Sequence, residues 1–199
     1  MKKTFVIYIL VVTCTISFAQ DSLYSRNSLK ISEAIGLNET KIESGSALIF
    51  SAGFQRSFLK SRLRINSNLM TGKYTHLFSR STIYERYRMN SIDLNTFVDV
   101  IKYRTFSIFA GTGFFLNNSV GLQGIGEAGS FTGSKHFNRT YYGLNFGAGF
   151  RVDSNKSRIA QELSLFNGAY GNNGFWLEYI KFGLDYKLSP PKKTRNVVD

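Results

Sequence analysis

The chain has 199 residues, a formal charge of +12, 18 glycines, 18 phenylalanines, 11 tyrosines and only 2 prolines. That length suits one domain of ordinary size, and glycine with abundant aromatics favours strands and turns over helices. No stretch beyond the N-terminal region reaches eighteen consecutive apolar residues, which excludes a helical membrane span there.

The chain opens MKKTFVIYILVVTCTISFAQ: Lys2 and Lys3, an apolar run over residues 5–12, then Ser17, Phe18 and Ala19. Basic, apolar and small residues in that order make a secretory signal peptide, with cleavage expected after Ala19. A lipoprotein site at Cys14 is the rival, and Val11, Val12 and Thr13 match its usual approach only loosely. Cleavage removes the only cysteine, so no thiol, disulfide or cysteine metal site is expected in the mature chain. Without Lys2 and Lys3 the charge is +10. For a secreted chain that excess suits anionic lipid or glycan, and no nucleic acid partner is expected.

After a lead over residues 20–27, eight stretches alternate with the period of two that marks a strand with unlike faces. The first, residues 29–37, sets Leu29, Ile31, Ile35 and Leu37 on one face, but Glu33 shares it, which suggests a shift or bulge there. Next come Leu48, Phe50, Ala52 and Phe54 against Ser51, Gly53 and Gln55, then Leu63, Ile65 and Leu69 against Arg64, Asn66 and Asn68. Ile92, Leu94, Val98 and Val100 oppose Asp93, Asn95, Phe97 and Asp99, and Phe106, Ile108, Ala110 and Phe114 oppose Ser107, Phe109 and Gly111. The clearest is Tyr142, Leu144, Phe146, Ala148, Phe150 and Val152 against Gly143, Asn145, Gly147 and Arg151. Ile159, Leu163 and Leu165 against Glu162, Ser164 and Phe166 are weaker, and Ile180, Phe182, Leu184 and Tyr186 against Lys181, Gly183 and Asp185 complete the set.

The connections alternate in length. Short ones centre on Lys60–Ser61, residues 102–104 and residues 153–157, and longer ones hold residues 39–45, 75–85, 117–137 and 168–174. Antiparallel neighbours joined this way gather all short turns at one end, the layout of a transmembrane β-barrel. The polar faces carry Gly and Asn as heavily as charge, which suits a crowded barrel lumen better than the solvated outside of a sandwich. Aromatic residues fall near the strand ends, Phe58, Tyr103 and Tyr186 at the short turns and Tyr74, Tyr84, Tyr142 and Trp176 at the long loops, as interfacial girdles would. The expected fold is therefore all-β, an eight-stranded antiparallel transmembrane barrel over residues 28–188.

The final strand, Lys181-Phe182-Gly183-Leu184-Asp185-Tyr186-Lys187-Leu188, resembles the C-terminal assembly signal of the small eight-stranded outer-membrane barrels of Gram-negative bacteria, the OmpA transmembrane domain and OmpX type. The ending SFAQ resembles signal peptides of the Bacteroidetes. The resemblance implies an outer-membrane protein with both termini periplasmic, inserted as a monomer by the barrel assembly machinery among outer-membrane lipids and lipopolysaccharide. The expected role is structural or surface-interaction, and no enzyme activity is expected. The chain departs from the type by running on through Pro190 and Pro191 into a basic tail, residues 189–199.

Gly124, Gly126 and Gly129 spell a dinucleotide fingerprint, but no helix or closing acid follows, so a mobile glycine-rich loop is the expectation and no cofactor is implied. His76 and His136 fall in long loops with Ser79, Ser81 and Ser134 near in sequence. That pairing keeps a lipid A modifying enzyme open as an alternative, beside a soluble periplasmic β-barrel binder, while two histidines without clustered carboxylates are too few for a metal site. Arg64, Arg151, Arg158 and Lys181 share the lumen face with Asp93, Asp99, Glu162 and Asp185, and such charges are expected to pair across strands. The short-turn end with its tail carries +9 of the +10, and Lys192, Lys193 and Arg195 are candidates for binding anionic headgroups or peptidoglycan.

Overall fold

A computed structural model of the chain describes residues 26–39, 44–59, 61–75, 86–127, 130–154 and 157–188. The expected signal peptide, Lys60, His76, Ser79, Ser81, Tyr84, Gly129 and the tail residues Lys192, Lys193 and Arg195 lie outside them. Eight strands, β1 (Arg26–Glu39), β2 (Ser44–Phe58), β3 (Leu63–Thr75), β4 (Arg86–Tyr103), β5 (Phe106–Glu127), β6 (Ser130–Val152), β7 (Ile159–Gly171) and β8 (Trp176–Lys187), follow one another. Each pairs antiparallel with the next, and β8 returns to β1, closing the ring. Closure leaves the barrel wall no free edge. No helix among the described residues is long and apolar enough to cross a membrane.

The alternation read in the sequence governs the wall. Ile35, Leu69, Val100, Phe114, Tyr142 and Phe166 are each more than 60% exposed, and the residues between them point inward. A soluble barrel hides such side chains, so this continuous apolar outside is built for lipid. Tyr103 and Tyr186 stand on it near the short turns, and Tyr142, Tyr170 and Trp176 near the other end. Tyr74 does not join them: it sits inside, stacked on Tyr87 with centroids 4.6 Å apart. Its even number in β3 places it opposite Leu69, which is the physical reason for the difference.

Glu33 does face outward, yet β1 is neither shifted nor bulged: its pairing with β2 and β8 is regular from Ser28 to Asn38. Register shifts occur elsewhere: in β4, where Val100 and Ile101 are both exposed, between β5 and β6 at Ile125, and in β7, where Leu165 and Phe166 are both exposed and the register with β6 and β8 slips. Asn167 repairs the ladder there by donating its side-chain amide to the carbonyls of Ser164 and Tyr179. Phe166, expected inside by strict alternation, is therefore outside.

Two tight turns join strands at the short-turn end through residues in the left-handed region, Leu59 and Ser61 before β3 and Arg104 before β5. At the opposite end β5 and β6 outrun their other neighbours. Pairing with β4 ends at Leu122 and pairing with β7 ends at Gly143, but β5 and β6 pair with each other up to Glu127 and Ser130. The glycine-rich segment around Gly124 and Gly126 is thus not a loop but a projecting two-stranded ribbon. Ladder bonds come from the backbone, so glycine weakens the ribbon without forbidding it, and Val120, Leu122 and Ile125 supply the strand-forming side chains.

Candidate functional site

The lumen is filled, in layers. Nearest the short turns is a network of ion pairs around Glu162, whose carboxylate accepts from Lys30 at 2.7 Å and Arg64 at 2.8 Å and lies 3.5 Å from Arg151. Arg64 also donates to Asp99 at 3.0 Å, and Arg151 to Asp185. Gln55 adds a hydrogen bond to Asp185 at 3.2 Å. These side chains come from β1, β2, β3, β4, β6, β7 and β8, so the network ties distant strands across the barrel. All are at least 94% buried, where an unpaired charge would cost several kcal/mol, about 3–5 on removal of a partner.

Arg64 is further held against two rings, 4.7 Å from the Phe109 centroid and 5.8 Å from Phe97. Phe97 has room because Gly111 and Gly147 face it, and a Cβ on Gly111 would collide with its ring. At the mouth, Asp153 meets Arg151 at 3.4 Å, Arg26 at 3.8 Å and Lys187. Burial raises the Asp153 carboxyl, but Arg151, Lys187 and Arg26 outweigh it and hold the group below the usual carboxylate range.

A middle layer of asparagines, Asn66, Asn68, Asn95 and Asn145, separates this base from an apolar upper fill. Met70, Met89, Phe115, Tyr141, Phe175 and Leu177 belong to that fill, with Tyr141 and Phe175 stacked at 4.8 Å. The sequence showed a polar lumen, so this aromatic plug is an addition; its signal was Phe115 and Met70 standing on otherwise polar faces.

Of the charges expected inside, Arg64, Asp99, Arg151, Glu162 and Asp185 form the network. Asp93 and Lys181 are inside but make no ion pair within 4 Å among the described residues: Asp93 accepts from Ser91 at 2.6 Å, and the Lys181 ammonium lies 5.8 Å from the Phe97 centroid. Arg158 is outside the lumen, exposed, and donates to the Tyr186 hydroxyl at 3.3 Å, because it lies in the bend before β7 and escapes the alternation. Lys30 was missed, although it stands between outward Leu29 and Ile31, and that parity could have found it. Exposed Arg56, Arg62, Arg104 and Arg158 form a basic collar at the short-turn end.

His136 and Ser134 are exposed on the projecting part of β6, two residues apart, and no hydrogen bond joins them. The described residues hold no cluster of metal-ligating side chains.

No protein-family model matches the sequence, and no curated protein matches it either. Solved structures do. Neisserial surface protein A aligns with a TM-score of 0.61 at 11% identity over 80% of this chain and 96% of its own. Ail, the attachment invasion locus protein of Yersinia pestis, aligns at 0.54 with 13% identity over 82% of this chain and 98% of its own. Ail in complex with the heparin analogue sucrose octasulfate aligns at 0.53, with 12% identity over the same shares. At such identities the likeness is one of fold, and in fold this chain is an eight-stranded barrel of the outer-membrane type.

Proposed function

We propose that the chain is a non-enzymatic surface-attachment protein of the bacterial outer membrane, with its short turns and termini in the periplasm and the β5–β6 ribbon outside the cell. The observation that carries this reading is the ribbon itself. Residues 130–142 of β6 run roughly 40 Å past β7 at the usual strand rise, with no strand neighbour on that side among the described residues. A strand edge with no neighbouring strand is a template for an added strand, and the ribbon carries it beyond the barrel wall. The filled lumen supports a contact role over a conducting one. The fold neighbours supply a parallel, since Ail is described as an attachment protein and as a binder of a heparin analogue. The exposed Lys135 near the ribbon tip suits the same class of sulfated glycan.

An epitope tag inserted at residues 128–129 tests the orientation: antibody should reach it on intact cells. Replacing residues 123–137 by a two-residue turn tests the role. The shortened barrel should still fold and reach the outer membrane, while intact cells expressing it should lose retention on heparin-coated beads. Retention equal to that of the full chain would overturn the attachment role, and a tag reached only after permeabilisation would overturn the orientation.

A further inference from the structure

The outward face of β2–β6 changes character in successive rows toward the ribbon end. Register places Ala52, Leu69, Ile92 and Leu116 side by side in one row, Phe50, Thr71, Asn90 and Asn118 in the next, and Leu48, Lys73, Arg88 and Val120 in the third. Apolar residues thus give way to amides and hydroxyls and then to cations. The first two rows line an open groove of about 750 Å³, with Thr140 on its far rim. Tyr142, of the ribbon-end girdle, neighbours Leu116 in the apolar row, so the polar row lies at interfacial depth.

Lys73 and Arg88 are direct cross-strand partners, both exposed, and Arg86 projects from the same face two residues further on. Like charges directly opposite destabilise a sheet. No carboxylate among the described residues pairs with any of the three, which leaves the cluster open to an anion from outside the protein. Below them Thr71 donates to the Asn90 side-chain carbonyl at 3.0 Å, and the Asn90 amide N–H groups have no acceptor among the described residues. Asn118 donates to Asn138 at 2.7 Å and is held in the same row. Cations above, amide donors at the rim and an apolar groove beneath match an amphiphile with an anionic head and hydrocarbon chains.

We propose that this face is a binding site for a phosphate-bearing, acylated glycolipid of the outer leaflet, with a headgroup phosphate bridging Lys73 and Arg88 and one acyl chain lying in the groove over Ala52, Leu69 and Ile92. Arg88 supplies the planar donor fork that phosphate accepts well, and Lys73 a compact second charge. The inference rests on the orientation proposed above only for naming the outer leaflet, because binding in detergent does not depend on it.

The test is native mass spectrometry of the folded barrel in nonionic detergent with three probes: bisphosphorylated lipid A, the same glycolipid dephosphorylated, and inorganic phosphate. The first should bind at least tenfold more tightly than the other two. Lys73→Gln with Arg88→Gln should lower its affinity at least tenfold, and Arg88→Gln alone should lower it measurably if the pair does not fold. Ala52→Phe, which fills the groove without changing charge, should weaken the acylated probe, and Arg56→Gln at the other end should change nothing. Affinity unaffected by the charge variants, or equal for the dephosphorylated glycolipid, overturns the phosphate site. Inorganic phosphate bound as tightly as the glycolipid overturns the groove.

Discussion

Glu162→Gln is expected to destabilise the folded barrel by about 3–5 kcal/mol, the cost of leaving buried cations without their anion. Lys30, Arg64 and Arg151 all lie within 3.5 Å of this one carboxylate, and a neutral amide of the same shape can accept a hydrogen bond but cannot balance their charge. Glu178→Gln is the matched control. Glu178 is exposed and accepts from the Trp176 indole at 2.8 Å, a bond that Gln keeps, so its loss should be far smaller. Urea titration of barrels folded into lipid vesicles, read by gel mobility without boiling, measures both. Equal stabilities would mean that the lumen is open enough for water to do the work of Glu162.

Phe146→Arg should cost roughly 2–4 kcal/mol, the expected penalty for a cation at the bilayer midplane on a barrel wall. Phe146 lies midway between the girdle residue Tyr142 and Val152 at the short-turn end, and it is 46% exposed. Its neighbour makes the comparison sharp. Asn145 points inward, and neither polar atom of its side chain has a protein partner, so Asn145→Ala removes no protein hydrogen bond and should cost little. The same titration distinguishes the two faces within a single strand. Matching penalties at both positions would contradict the assignment of faces.

The wall was legible because a strand's period of two is written directly in the sequence, and Leu144, Asn145 and Phe146 need no tertiary information to be sorted. Departures arose where something other than parity decides. The β7 bulge exposes Phe166 because Asn167 can replace missing ladder bonds with its own amide, a repair visible only once β8 lies alongside. Arg158 was misplaced because alternation was extended past the end of β7 into its bend. The β5–β6 ribbon was hidden because Gly124, Gly126 and Gly133 lower strand propensity, while mutual backbone pairing holds the segment straight. The ion pairs were legible as a set and not as partners: Arg64 and Glu162 are 98 residues apart and meet only when the barrel closes. The cation pair at Lys73 and Arg88 was unreadable for the same reason, since register, not spacing, puts them side by side.

Spin-label accessibility along β4 of the mature chain in lipid vesicles decides whether the wall meets hydrocarbon, with single cysteines placed at Ile92, Leu94, Thr96 and Val98, and at Ser91 and Asn95. The first four face outward and the last two face the lumen. If the apolar wall meets hydrocarbon, oxygen should relax the four outward labels strongly and a water-soluble nickel chelate should barely reach them, while Ser91 and Asn95 respond little to either. Outward labels open to the aqueous reagent and closed to oxygen would contradict a membrane-spanning barrel.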